Sequence, residues 1–361
     1  MRFPIAVLLL LIAPTFLIAA DPWIGKRVFW KQGSVAMVGN MTVSVQNIAF
    51  PSPVSEVNGE WLWVGRAWIR KSDVMLAQEA LDFYTDVIRQ NPSSEAWACR
   101  ANVWMEKGEV ENAIKDHTEA IRLDPSNAAA YNSRGIAFKS KGELDAAIKD
   151  YTEAIRLNPS SGFARNNRAA ARQEKEDWDG AIQDYDEAIR IDPKDAIHYY
   201  NRGLVWLSKN DYDKAVKDFN ETLRLDTRSS PAYCGRAWVL LAKGETESAI
   251  KDYTEAIRFD PAAYFPLQAL ANIKATCAED HLRNGKEAVE LATKSCELTA
   301  WKNWDCLNTL AAASAEMGDF ESAIKWQEKA IELSPSKSKQ EYSQNLELYK
   351  AGKTSRTKKK M

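Results

Sequence analysis

Between residues 75 and 350, apolar positions recur at three- and four-residue intervals, the spacing that keeps them on one face of an α-helix. One helical segment returns five times, as AIKDHTEAIRLDP, AIKDYTEAIRLNP, AIQDYDEAIRIDP, AVKDFNETLRLDT and AIKDYTEAIRFDP. Pro125, Pro159, Pro193 and Pro261 end these helices, because proline lacks the N–H that would continue them; Thr227 stands in the remaining one. Gly108, Gly142 and Gly244 mark turns between paired helices, where a left-handed backbone suits glycine. Before residue 74 the period changes to two. Short strands are expected over 26–31, 34–38, 42–48, 54–57, 60–64 and 67–70, with Asn58-Gly59 as a hairpin turn. Alternation in EWLWV sends Trp61 and Trp63 to one face and Leu62 to the other.

The helical part repeats with a period of 34 residues. Arg100, Arg134, Arg168, Arg202 and Arg236 form one row, and Asp116, Asp150, Asp184, Asp218 and Asp252 form another. Arginines fall midway along first helices, and aspartates sixteen residues later on second helices. Antiparallel pairing brings the two together, so an ion pair is expected inside each repeat. Two irregular repeats carry Leu270 and Leu310 in the arginine row, with Leu291 and Trp326 in the aspartate row, so charge leaves both rows together. Small residues Ala101, Gly135, Ala169, Gly203 and Ala237 face Ala113, Ala147, Ala181, Ala215 and Ala249 where paired helices cross closely.

These rows, turns and stops resemble the tetratricopeptide repeat, over about 260 residues. The resemblance implies a mainly α fold, a right-handed α-solenoid of about seven repeats with a C-terminal capping helix over 339–350, and a surface that holds other proteins. It would occupy residues 74–351, opening on a half repeat in which Phe83 replaces the aspartate. A late repeat has roughly five extra residues in its loop, 279–286. The segment GEWLWVGRAWIRKSDV resembles the end of bacterial SH3-like domains, which implies a small β-barrel over 21–73. Its tryptophans (Trp23, Trp30, Trp61, Trp63, Trp68) either build a core or line a groove; the resemblance implies binding of cell-wall peptides or peptide tails.

Composition is that of an ordinary soluble chain, and a net charge of −2 selects neither nucleic acid nor an anionic surface. Residues 352–361 form a basic tail expected to be disordered and solvated, with electrostatic anchoring as the alternative. At the other end, Arg2, the apolar run IAVLLLLIA (5–13), Pro14 and small Ala20 read as a signal peptide over 1–20. A membrane span needs about 20 apolar residues, so export to the periplasm or medium is expected, with an uncleaved anchor as the alternative. With NGKEAVELATKSCELT, this arrangement resembles exported repeat proteins of planctomycete-type bacteria.

The chemistry expected is binding. First helices line the inner face of such arrays, and that face carries Asn132, Asn166, Asn167, Tyr200 and Asn201. An asparagine amide can both donate to and accept from a peptide backbone. Asn167 and Asn201 resemble two rungs of the asparagine ladder of O-linked N-acetylglucosamine transferase, broken at Ser133 and Gly235. The alternative is plain solvation. Lys139 lies among Glu95, Ala98 and Phe163, which does not make the clamp by which chaperone-binding members hold a terminal carboxylate. The three histidines, His117, His198 and His281, show no metal-ligand spacing, and no nucleophile elbow, P-loop or dinucleotide fingerprint is present. No catalytic residue, metal or cofactor is therefore expected. Cys99 and Cys234 read as buried thiols. Cys296 and Cys306 flank a short loop and could pair, whereas Cys277 should lie roughly 20 Å from Cys296 at about 1.5 Å per residue. Asn40 and Asn220 begin glycosylation sequons, the second within a helix. The expected function is a scaffold for a protein or peptide partner, with a cell-envelope binder built on the β part as the alternative.

Overall fold

The computed structural model describes residues 27–30, 35–38, 41–44, 52–58, 60–64 and 68–357. The apolar segment 1–20, Trp23, Asn40, Gly59 and lysines 358–360 lie outside the described residues. The chain divides into two compact units, Met1–Asn158 and Pro159–Met361.

The first unit begins with β1 (Arg27–Trp30), β2 (Val35–Val38), β3 (Met41–Ser44), β4 (Ser52–Pro53), β5 (Glu56–Asn58), β6 (Trp61–Trp63), β7 (Trp68–Arg70) and β8 (Val74–Met75). One sheet runs β3-β2-β7-β6-β5 and the other β4-β1-β8. Asn58 faces Trp61 across the β5–β6 turn, the register that a two-residue hairpin loop produces. Leu62 faces Ile69 and both are fully buried; Trp61, on the other face, stays partly exposed opposite Arg70, whose guanidinium lies 5.2 Å from its ring centre. Val74 and Met75, assigned by sequence to the helical part, instead pair with β1. They lead directly into α1 (Ala77–Gln90). Phe29 and Met75 then share a core with Ala80, Tyr84 and Val103, so strands and first helices bury one continuous apolar surface.

Two helical hairpins complete this unit: α2 (Ser94–Glu106) with α3 (Val110–Leu123), and α4 (Ala128–Ser140) with α5 (Leu144–Leu157). The second unit holds five more, α6 (Gly162–Glu174) with α7 (Trp178–Ile191), α8 (Ala196–Ser208) with α9 (Tyr212–Leu225), α10 (Ser230–Ala242) with α11 (Thr246–Phe259), α12 (Tyr264–Thr276) with α13 (Gly285–Leu298), and α14 (Trp304–Glu316) with α15 (Phe320–Leu333). The inserted loop of the α12–α13 hairpin contains one turn of 3-10 helix, Asp280–Leu282. α16 (Ser336–Lys350) closes the unit by burying Tyr342 and Tyr349.

The 34-residue period reaches the helix ends. Ser93, Asn127, Ser161, Asp195 and Ser229 each cap a first helix through a side-chain oxygen that accepts an N–H of its opening turn. Close crossing explains the small residues. A Cβ on Gly135 would stand 2.6 Å from the Tyr151 ring, and one on Gly235 would stand 2.7 Å from Phe219.

Residues 353–357, expected to be part of a solvated tail, return to α12. Thr357 donates both its N–H and its hydroxyl to the Thr276 carbonyl.

Candidate functional site

In all five regular repeats the arginine and aspartate form a bidentate clamp. Nε and Nη2 of Arg134 donate to Asp150 at 2.7 and 2.8 Å; for Arg236 and Asp252 both distances are 2.7 Å. Arg100 with Asp116, Arg168 with Asp184, and Arg202 with Asp218 repeat the geometry. The carboxylates are buried and the arginines mostly so. The bond to Asp150 raises the Arg134 pKa despite its burial, and the bond to Asp252 does the same for Arg236.

A further use of these arginines was not read from the sequence. Nη1 reaches across to the preceding second helix: Arg100 to Thr85 at 3.3 Å, Arg134 to Thr118 at 3.2 Å, Arg202 to Asp186 at 2.6 Å and Arg236 to Asn220 at 2.7 Å. One guanidinium thus closes its own hairpin and ties it to its neighbour. Thr118, Asp186 and Asn220 keep the period of the repeat, so a third polar row was visible beside the first two. Asp184 differs in holding a second cation, Arg172, at 2.8 Å. Where the charges are lost, apolar contacts replace them. Leu270 and Leu291 share one cluster, and Leu310 and Trp326 share another. The rows are therefore structural and leave no open cationic stripe.

The amide residues lie on first helices, as their spacing requires. Asn132 is half-buried on α4 in the first unit. In the second unit the structure joins two of the others: Asn201 Nδ2 on α8 donates to Asn166 Oδ1 on α6 at 2.9 Å. Asn201 Oδ1 and Asn166 Nδ2 lie outside that bond. Asn167 is half-buried on the same helix as Asn166. Tyr200 is mainly a packing residue, with its ring 6.0 Å from that of Phe219 and its phenol pKa raised by burial and by Cys234. The sequence reading did not pick out an exposed apolar row at the starts of first helices, where Phe163, Ile197 and Phe265 are 76%, 57% and 42% exposed. Phe163, Ile197, Pro231 and Phe265 do follow the 34-residue step.

The remaining reactive groups are dispersed. His117 is fully buried and neither ring nitrogen has a hydrogen-bond partner. Burial, with Arg134 adding to it, lowers its pKa to about 4. His198 is buried with Nε2 3.6 Å from Asp195, and His281 is exposed beside Glu247. All five cysteines are free thiols, including Cys296 and Cys306, which share a buried cluster. Burial pushes Cys296 up to about 12. Among the described residues no group of three or more His, Cys, Asp or Glu side chains could hold a metal, and no helix is long and apolar enough to cross a membrane.

Helical hairpins closed and joined by a recurring arginine clamp define an α-helical repeat protein. More particularly, the chain belongs to the tetratricopeptide-repeat proteins: models described as tetratricopeptide repeat match residues 128–161, 199–228, 230–262 and 305–337, and one described as TPR repeat matches 101–142 and 171–208. Similar solved structures include yeast Tom70, at 18% identity over 76% of this chain and 59% of that one, with a TM-score of 0.54. The Cut9–Hcn1 hetero-tetramer of the APC/C gives 15% identity, 76% and 52% coverage, and a TM-score of 0.56. YrrB, described as a TPR protein with an unusual peptide-binding site, matches 53% of this chain and 98% of its own at 21% identity and a TM-score of 0.43. No curated protein matches the sequence.

Proposed function

We propose that this chain is a non-catalytic scaffold that holds an extended segment of a partner protein against its first helices, outside the cytoplasm. Repeat arrays of this kind are protein-binding surfaces as a class. The observation that carries the reading is the 2.9 Å bond between Asn201 and Asn166, which ties together amides of successive first helices. The bond spends one donor and one acceptor. What remains on the two amides matches the C=O and N–H of a peptide backbone, with little demand on its side chains. Export rests on the apolar run at 5–13 and the small residues before Asp21.

The test is affinity capture from an envelope extract. The mature protein is compared with a variant carrying alanine at Asn132, Asn166, Asn167 and Asn201, after both show equal helicity and melting. Loss of a captured partner from the variant alone supports the amide surface, and unchanged capture rejects it. N-terminal sequencing of the exported product should begin at Asp21.

A second reading gives the binding role to the β region, taken as SH3-like, with the helical repeats as a spacer. Its support is Trp61, which stands away from the Leu62–Ile69 core and under Arg70. Retention of the full chain on purified peptidoglycan, lost on Trp61→Ala, would favour that reading.

A further inference from the structure

A cleft of about 390 Å³ opens in the second unit between two first helices, with Trp238 and Leu241 of α10 on one wall and Asn272 and Ile273 of α12 on the other. Its volume falls within the range of small-ligand sites, roughly 300–1,000 Å³. Glu279, just beyond α12, is the one charged residue of its lining among the described residues. Trp238 is 42% exposed and is braced by Tyr212, 6.2 Å away in a T-shaped contact. The face of an indole attracts cations. Elsewhere this chain supplies them itself: Lys214 lies 4.1 Å from the ring centre of Trp206, and Arg100 lies 4.7 Å from that of Trp97. Among the described residues no cation stands over Trp238 in this way. The cations next to the lining are engaged elsewhere. Lys243 is held by Asp213 at 2.8 Å, and Arg283, which donates to the Cys277 carbonyl, by Glu316 at 2.8 Å. Arg356 stands 2.7 Å from the other Glu316 oxygen. Glu279 meets His281 at 4.0 Å, too far for a hydrogen bond, and Glu247 lies 3.4 Å from the same ring nitrogen. Two carboxylates thus stand close together at the edge of an apolar cleft.

We propose that this cleft takes a lysine or arginine side chain of a partner protein. The apolar stem of such a side chain lies along Leu241 and Ile273, and its charged head stands between Trp238 and Glu279. Charge excludes the other classes of occupant. An anion would be repelled by Glu279, and a purely apolar group would strip water from that carboxylate and give it no partner. Asn272 adds an amide that can donate to and accept from the backbone carrying the basic residue, which favours a peptide over a free amine. The proposal rests on the scaffold reading only in drawing its ligand from a partner protein. It does not need the amides of Asn166 and Asn201, which lie on α6 and α8.

The probes are a fluorescent peptide of sequence GSKSG and its counterpart with norleucine in place of lysine, which keeps the stem and removes the charge. Both are read by anisotropy against the full chain. The lysine peptide should bind at least roughly tenfold more tightly than the norleucine peptide, as a cation held by an indole and a carboxylate requires. Glu279→Gln, which keeps the shape of the side chain, should remove most of that preference. Trp238→Leu should weaken binding of the lysine peptide, and Trp238→Phe should restore part of it. Equal affinity for the two peptides, or none for either, would overturn the proposal, as would a preference that survives Glu279→Gln. Asn166→Ala with Asn201→Ala should leave the lysine preference unchanged; its loss there would assign the preference to the amide surface and refute this site. n-Butylammonium that binds as tightly as the lysine peptide would make the occupant a free amine and refute the assignment to a partner protein.

Discussion

Glu176 has a backbone φ of 61° at the step of the repeat where Gly108, Gly142 and Gly244 have φ of 77° to 82°. The left-handed region costs a side-chain-bearing residue roughly 1–2 kcal/mol. Glu176→Gly should therefore raise unfolding free energy by about 1 kcal/mol, part of the relief being lost to the entropy of glycine. A urea titration reads this directly, and a destabilised variant would refute it. His117 makes a second residue-scale prediction. Its pKa drops from 6.5 to about 4 on folding, so between these values the unfolded chain binds more protons. The contribution is intact above about pH 6.5 and is lost as pH falls toward 4, by at most about 3 kcal/mol. His117→Tyr restores the residue found at Tyr151 and Tyr185, and urea melts at pH 7 and 4.5 should then differ less than those of the parent chain. The clamps make a third. Arg134→Ala leaves Asp150 buried without its guanidinium, a loss that typically costs about 3–5 kcal/mol. Arg168→Ala should cost clearly less, because Arg172 still holds Asp184. Equal losses in the two variants would show that Arg172 does not compensate.

Among elements, the terminal helix has the clearest energetic task. Without α16 the last hairpin would leave its apolar face in water, and Tyr342 sits inside the cluster that includes Cys306, Leu307 and Leu310. Its hydroxyl donates to Asp305 at 2.9 Å and its carbonyl accepts from Gln327 at 3.0 Å. Removing a large buried aromatic side chain costs about 3–5 kcal/mol. Tyr342→Ala should show a loss of that size in urea, and increased binding of an apolar dye if α16 detaches. Much of this level could be read beforehand. The alternation of apolar residues placed the helices and six of the eight strands among the described residues, and the loss of both charges at Leu270 and Leu310 correctly implied apolar substitutes. β4 and β8 escaped because two-residue strands leave no period to detect. Their existence depends on pairing with β1, which local sequence does not encode.

At the scale of the molecule, each unit is held by neighbour-to-neighbour contacts: hairpin partners and adjacent helices account for the helix packing, with few longer reaches. Stability should then be nearly a sum of local terms. Arg202→Ala and Tyr342→Ala, in separate hairpins of the second unit with others between them, should combine additively within about 0.5 kcal/mol; a larger coupling in the double variant would reveal long-range cooperativity. The candidate sites were legible to different degrees. The amide positions could be named because they share the repeat's period, but the Asn201–Asn166 bond joins residues 35 apart, on a diagonal between two rows, and depends on how the helices stack. The return of residues 353–357 to α12 could not be named at all. Thr276 and Thr357 lie 81 residues apart with no shared motif.

The sequence by itself determined what periodicity can carry: the hairpins, their turns and stops, and the arginine–aspartate clamps. Each of these rests on contacts that recur at a fixed spacing, so one repeat reports on all the others. Tertiary structure alone decided which groups meet once. It chose the neighbour that each Nη1 reaches, left His117 without a hydrogen-bond partner, ran β8 into α1, and folded the basic segment back onto a helix end. Such contacts are fixed by packing and by unpaired polar groups finding partners in space, and a one-dimensional pattern holds no record of them.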